Sequence, residues 1–411
     1  MSPDQARKNA LFHALDGIFF FAGLTLFNRQ TVMPRLITEL SDSELLLGLV
    51  PAIFWMGNLV PQIIAAKKLE GLAYKKPAIL ICGLFQRLGW VVLLISMLIW
   101  WDPVLTLAIF FIVLTGYRLA SGVTMPLWTD FYGKTTSEGV WARVLGFRRA
   151  VAGVLGVALG LLIRWIMGRF PSPDRYQLLL LLAVVSYGIS YFFLSRIQEE
   201  REDGLPNNHD ASWGEYLKGL AALPGRRPDF SKFIFAVVAI SLPLTIMETF
   251  LTRYGLTYPG VSDGVTGTFT AFFQGSLAVG ALAGGALSDM RNTVAPFRVI
   301  PLLFLGAVVA TAISPHPALV SVAFGLLGLA FGMRLTAFLP AVLRYADPHR
   351  VPTYTVVALT LIMVPRAVVP LATGGVLEAG LVTFRQIFLL SGILAGVGWA
   401  MCMRLEAPEK A

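Results

Sequence analysis

Tyr117-Arg118-Leu119-Ala120-Ser121-Gly122 sets an arginine in the middle of an apolar run that extends from about Val104 to Trp128. The run is long enough to cross a bilayer as one helix. A guanidinium at that depth is costly, so it either holds a ligand or locks helices together. Gly332-Met333-Arg334-Leu335 repeats the Gly-x-Arg-Leu pattern of Gly116 to Leu119 about half a chain later. Two apolar helices thus carry the same central arginine.

The composition agrees with a membrane setting. Of 411 residues 56% are apolar and 14% charged, and the mean hydropathy is +0.71. Those values exclude an ordinary soluble domain and predict an all-α, polytopic membrane protein. The net charge of +9 does not point to nucleic acid, because the basic residues sit in short loops between apolar runs. There they set topology and meet anionic membrane lipid. The two cysteines, Cys82 and Cys402, lie in separate apolar runs, so no disulfide framework is expected. Asp16 lies inside the first apolar run and no small-residue cleavage site follows, which predicts a retained first helix.

Length and hydropathy predict about twelve transmembrane helices. They run near 11–37, 44–66, 77–101, 103–130, 143–167 and 176–195, then 232–255, 265–288, 297–314, 317–344, 353–378 and 382–404. With the N-terminus inside, the cytoplasmic segments hold about 22 basic residues and the opposite side about 7, which predicts both termini in the cytoplasm. Arg29, Arg35 and Arg253 are among the outside set. The polar break divides the chain into a six-helix bundle at 1–195, a cytoplasmic linker at 196–231 and a second bundle at 232–411. Within the linker, Trp213, Tyr216, Leu217 and Leu220 recur at helical spacing, as in a short amphipathic helix on the membrane surface.

Internal repetition supports the two halves. Leu40-Ser41-Asp42 with Gly48, Ala52 and Phe54 is echoed by Val261-Ser262-Asp263 with Gly267, Ala271 and Phe273, and Arg149-Ala150-Val151 by Arg366-Ala367-Val368. With Arg118 and Arg334, the matches keep offsets of about 216 to 221 residues. Duplicated halves are the architecture of many secondary transporters.

On these features the chain resembles the major facilitator superfamily. Ala66-Lys67-Lys68-Leu69-Glu70-Gly71-Leu72-Ala73-Tyr74-Lys75-Lys76 looks like that family's loop signature, with the acid and the basic pair but not the glycines. Gly285-Ala286-Leu287-Ser288-Asp289-Met290-Arg291 looks like its second copy. The resemblance implies two six-helix bundles in pseudo-symmetry and a gating role for Glu70, Lys75, Lys76, Gly285, Asp289 and Arg291. The small residue would let helices approach, and the acids would cap a helix or pair with an arginine. The chain is also similar to a bacterial subgroup of undetermined substrate that shares Pro61-Gln62 and Lys75-Lys76-Pro77. That implies a multi-pass protein of the bacterial inner membrane, acting as a monomer.

Buried carboxylates can bind protons near neutral pH. Glu248, and Asp16 nearer the cytoplasmic end, are therefore candidates for proton coupling; the alternative for each is neutralisation of an arginine. Arg87, Arg118, Arg334 and Arg366 lie mid-membrane and outnumber those acids, which leans the reading toward an anionic substrate held by arginine forks. The competing reading has Arg118 and Arg366 binding backbone carbonyls and fixing helix packing. Asn28, Asn58, Gln274, Tyr117 and Tyr354 are further candidates for a mostly apolar binding site. Gly133-Lys134-Thr135 is not a phosphate loop, because the glycine needed five residues earlier is Trp128. The four histidines have no metal-ligand spacing, so neither a metal nor another cofactor is expected. An alternating-access transporter of a small organic solute, coupled to a proton or another gradient, is the expectation. The alternatives are a lipid or lipophile flippase or drug exporter on the same fold and, from another class, an intramembrane enzyme, for which the spans offer no nucleophile or acid cluster.

Overall fold

The structure is a computed structural model and describes residues 3–69, 72–136, 141–201, 214, 222–346 and 351–405. Its helices are α1 (Pro3–Leu26), α2 (Val32–Leu40), α3 (Glu44–Leu69), α4 (Lys76–Ile99), α5 (Pro103–Thr135), α6 (Trp141–Arg169) and α7 (Asp174–Arg196). After the linker come α8 (Pro228–Leu256), α9 (Val265–Met290), α10 (Ala295–Ile313), α11 (Pro317–Tyr345), α12 (Val351–Glu378) and α13 (Phe384–Met403). Among the described residues twelve helices are long and apolar enough to span a membrane, and eleven of them start and end close to the expected limits.

The first span is the exception. It was expected to run unbroken over 11–37, but α1 stops at Leu26 and the short α2 begins at Val32. Hydropathy cannot see the stop, because its causes are polar side chains with specific partners. The Asn28 amide donates to the Thr25 carbonyl at 2.9 Å, competing for the last turn of α1. Helix α2 then buries one face, Val32, Met33, Pro34, Leu36 and Ile37, against α8 and α9.

The chain forms two compact units, Met1–Asn28 with Ile53–Ala211 and Arg29–Ala52 with Ser212–Ala411. The expected bundles divided the chain at the linker alone; in the structure residues 29–52 group with the second unit. Specific contacts hold them there. Arg35 Nε pairs with Asp263 at 2.7 Å, Arg253 Nε with Glu44 at 3.0 Å, and Glu378 accepts from the Ser43 hydroxyl at 2.6 Å and the Leu45 amide at 2.9 Å. The expected amphipathic helix at Trp213–Leu220 and the loop acid Glu70 lie outside the described residues.

In the first unit α1 packs on α6 and α7, and α4 on α5 and α7. Glycines permit the close approach of α3 and α5: a Cβ on Gly57 would sit 2.9 Å from the Cβ of Arg118, and one on Gly122 would meet the Asn58 carbonyl. In the second unit α8 is the central helix, buried along most of its length, as a helix apolar on all sides should be. There α9 and α11 pack through Gly280, Gly284, Gly328 and Gly332. A Cβ on Gly284 would lie 2.6 Å from Met333 Cα, and one on Gly332 2.6 Å from the Ala281 amide nitrogen. This is small-residue packing, which lets dispersion act where lipid offers no hydrophobic drive. Beside Gly285, the glycine of the expected gating motif, the space is open, and its neighbour Gly284 makes the approach of α9 to α11.

Candidate functional site

The strongest polar constellation inside the membrane-spanning part surrounds Glu248, in the second unit. Helix α8 presents this carboxylate 3% exposed. Its Oε1 accepts from the Arg29 guanidinium and from Gln30 Nε2 at 2.8 Å. Its Oε2 accepts from Arg366 Nη2 at 3.3 Å. Arg366, on α12 and 1% exposed, also donates through Nε to the Thr245 hydroxyl at 2.7 Å. That hydroxyl donates in turn to the Ser241 carbonyl at 2.9 Å, one turn back along α8. Arg29 and Gln30 reach the carboxylate because α1 has ended, and the segment is tied down by the Thr252 hydroxyl on the Gln30 carbonyl at 2.7 Å and by Thr31 against Thr270 at 2.6 Å. A small recess opens beside the ion pairs, lined by Arg29, Pro34, Leu47, Val50, Pro51, Glu248 and Thr249.

Arg334, on α11, completes the group. It lies within electrostatic reach of Glu248, Arg29 and Arg366, and its guanidinium stands 5.3 Å from the Phe331 ring centre. Its Nε is buried without a hydrogen-bond partner among the described residues. Arg29 and Arg366 thus pair with one carboxylate, and Arg334 lies within its field. Arg29 was expected among the outside loop residues; its side chain is 10% exposed and paired with Glu248. Arg366 was expected either to clamp substrate or to bind a backbone carbonyl; its partners include the Glu248 carboxylate and the Thr245 hydroxyl.

The other expected mid-membrane cations fall in the first unit. Arg118 donates through Nε to the Phe54 carbonyl at 3.0 Å, with its guanidinium 3.6 Å over the Phe54 ring. This joins α5 to α3. Arg87 is similarly committed, to the Tyr187 and Gly83 carbonyls at 2.9 Å each and the Ser190 hydroxyl at 2.8 Å. Asp16 accepts from Ser190 at 2.8 Å and faces Arg148 at 3.9 Å. Sequence symmetry had singled out Arg149, one residue on; it stacks on Phe21 at 5.3 Å instead. Arg148 lies over Trp128 at 5.0 Å and against Gly17, where a side chain would overlap its guanidinium. Asn58 donates to Gln62 at 3.1 Å, and the Tyr117 ring packs 5.6 Å from Trp90.

Tyr354 does not join the Glu248 group. Its hydroxyl accepts from Arg227 at 3.1 Å, and its ring packs on Phe230 near the start of α8. Gln274 is half-buried on α9 and Asn28 is buried in the bend after α1. The loop before α4 has a charge network of its own. Lys75 Nζ pairs with Asp130 at 3.2 Å and donates to the Leu72 carbonyl at 2.7 Å. Glu199 accepts from the Lys75 amide at 2.8 Å and the Lys76 amide at 2.8 Å, capping α4. Asp130 and Glu199 were not singled out from the sequence. Asp289 and Arg291 are exposed at the end of α9, where Asp289 makes no ion pair among the described residues.

The Major Facilitator Superfamily profile matches residues 15–370. No curated protein sequence matches the chain. Among solved structures, a mutant of the nucleoside transporter NupG is 12% identical and superposes with a TM-score of 0.75, covering 97% of this chain and 99% of that one. A bacterial homologue of the human lysosomal transporter Spinster, inward-facing and unoccupied, is 14% identical, with a TM-score of 0.69 and coverage of 98% and 97%. The E. coli fucose:proton symporter FucP is 16% identical, with a TM-score of 0.61 and coverage of 96% and 98%. At these identities the likeness is one of fold.

Proposed function

Because the chain belongs to the Major Facilitator Superfamily and is a multi-pass integral membrane protein, we propose that it is a secondary transporter of a small organic anion, working by alternating access. The observation that carries the anionic part is the charge around Glu248. Arg29 and Arg366 already hold this carboxylate, while Arg334 keeps a buried N–H without an acceptor among the described residues. A buried guanidinium without its counter-charge costs several kcal/mol, roughly what a carboxylate or phosphate seated there would recover. On this reading Arg334 contacts substrate, Arg366 and Arg29 complete the positive wall, and Arg118 and Arg87 serve packing. The pairing of Lys75 with Asp130 is read as a gate contact.

Coupling is proposed to run through Glu248. Substrate that draws Arg366 toward itself removes one of the carboxylate's arginine partners, which favours protonation. Asp16, held by Ser190 and Arg148, is read as structural. The distribution of basic residues among the loops supports a topology with both termini in the cytoplasm.

The experiment is a thermal-shift screen of purified protein against organic acids, sugar phosphates, neutral sugars, amphiphilic drugs and lipids. Uptake of the hits into proteoliposomes with and without an imposed pH gradient then follows. The proposal expects anionic hits, accumulated faster with the gradient. Hits confined to neutral or cationic solutes would remove the anion, transport indifferent to the gradient would remove proton coupling, and lipid scrambling without solute uptake would favour a flippase.

A further inference from the structure

Helix α3 is held near its start by one unit and further along by the other, and a proline lies between the two holds. Over its first turns the backbone meets α12. A Cβ on Gly374 would lie 2.5 Å from the Glu44 carbonyl oxygen, and one on Gly48 would meet the Pro370 carbonyl. Glu378, the last residue of α12, accepts from the Ser43 hydroxyl and the Leu45 amide, and Arg253 pairs with Glu44. From Phe54 onward the same helix packs on α5. Arg118 donates to the Phe54 carbonyl at 3.0 Å. A Cβ on Gly57 would sit 2.9 Å from the Cβ of Arg118, and one on Gly122 would lie 2.5 Å from the Asn58 carbonyl oxygen. Backbones this close interlock, so neither stretch of α3 slides easily on its partner helix.

The boundary between the two compact units crosses α3 between Ala52 and Ile53, directly after Pro51 and Ala52. Proline has no amide hydrogen to give the Leu47 carbonyl, and its ring crowds that carbonyl. A helix bends at such a point in preference to its neighbouring turns. Leu47, Val50 and Pro51 also line the small recess beside Arg29 and Glu248, so a bend at Pro51 moves a wall of the candidate site. We infer that Pro51 is a hinge in α3, about which residues 44–50 swing relative to the rest of the helix and open or close the recess beside Glu248. The use of that motion rests on the alternating-access reading above; the hinge itself rests on the packing of α3.

Two substitutions separate a hinge from a packing residue. Pro51→Ala restores the amide and lets the helix run continuously. Pro51→Gly removes the same ring but keeps a weak point, because glycine is conformationally permissive. Amide exchange of the full chain in detergent is followed by mass spectrometry at residues 52–54, whose helical hydrogen bonds cross the proline, and at 57–60. In the wild type and in Pro51→Gly, 52–54 should exchange at least about tenfold faster than 57–60; in Pro51→Ala the two stretches should agree within about twofold. Uptake from a mixture of anionic, neutral and cationic metabolites into proteoliposomes should fall about tenfold in Pro51→Ala and stay within about threefold of wild type in Pro51→Gly. Equal exchange of the two stretches in the wild type, or uptake that survives Pro51→Ala, would overturn the inference. Equal loss of uptake in both variants would overturn it too, since that is the mark of lost ring packing. Absence of any uptake by the wild type would count against the transport reading, while the exchange pattern would still decide the hinge.

Discussion

Replacing Glu248 by Gln keeps the shape of the side chain and removes the negative charge paired with Arg29 and Arg366. In the structure Oε1 accepts from Arg29 and Gln30 and Oε2 from Arg366, at 3% exposure. Breaking one side of a buried ion pair costs about 3–5 kcal/mol, because the partner charge is left without compensation. Glu248→Gln is therefore expected to lower unfolding stability in detergent by about that amount, read by chemical denaturation with tryptophan fluorescence. Inorganic sulfate at a hundredfold excess over its dissociation constant should restore about 2.7 kcal/mol of the loss. The double variant Glu248→Gln/Arg366→Gln should lose less than the sum of the two single losses, with a coupling of at least about 0.5 kcal/mol. A loss under about 1 kcal/mol for the single variant, or strictly additive losses, would refute the picture of a carboxylate neutralising a buried arginine cluster.

Further expectations concern packing and the loop network. Arg118→Gln removes a charged hydrogen bond to the Phe54 carbonyl and the stacking on its ring. It should cost about 1.5–3 kcal/mol of stability while leaving anion affinity unchanged. Gly332→Ala places a methyl against the backbone of Leu277 and Ala281; a loss of about 1–3 kcal/mol is expected, against almost none for Gly285→Ala, whose surroundings are open. Glu199→Gln weakens the cap on α4 and should cost about 0.5–2 kcal/mol, visible as faster amide exchange at Lys75 and Lys76.

The spans were legible because crossing a bilayer demands one continuous property, a run of about twenty apolar residues. Val104 to Trp128 states that property without ambiguity, and α5 follows it. The stop after Leu26 was not legible by the same rule, since it depends on where Asn28, Arg29 and Gln30 find partners far along the chain. For that reason Arg29 read as a loop cation and proved to be the partner of Glu248. Symmetry carried the reading part of the way: Arg334 and Arg366 do gather near one carboxylate, yet their repeat mates Arg118 and Arg149 pack on aromatic rings. Duplication preserves positions in the fold, and each half then fits its own chemistry to them. The glycine contacts show the limit at one-residue scale, since neighbouring Gly284 and Gly285 differ only in which side of α9 they occupy.

The most direct measurement of the central claim is uptake from a defined mixture of anionic, neutral and cationic metabolites into proteoliposomes, quantified by mass spectrometry. Wild-type protein and Arg334→Gln would be compared at equal reconstituted amounts. The account predicts that an anionic solute accumulates with the wild type and not with Arg334→Gln. Accumulation of neutral or cationic solutes alone, or equal accumulation by the two proteins, would contradict it.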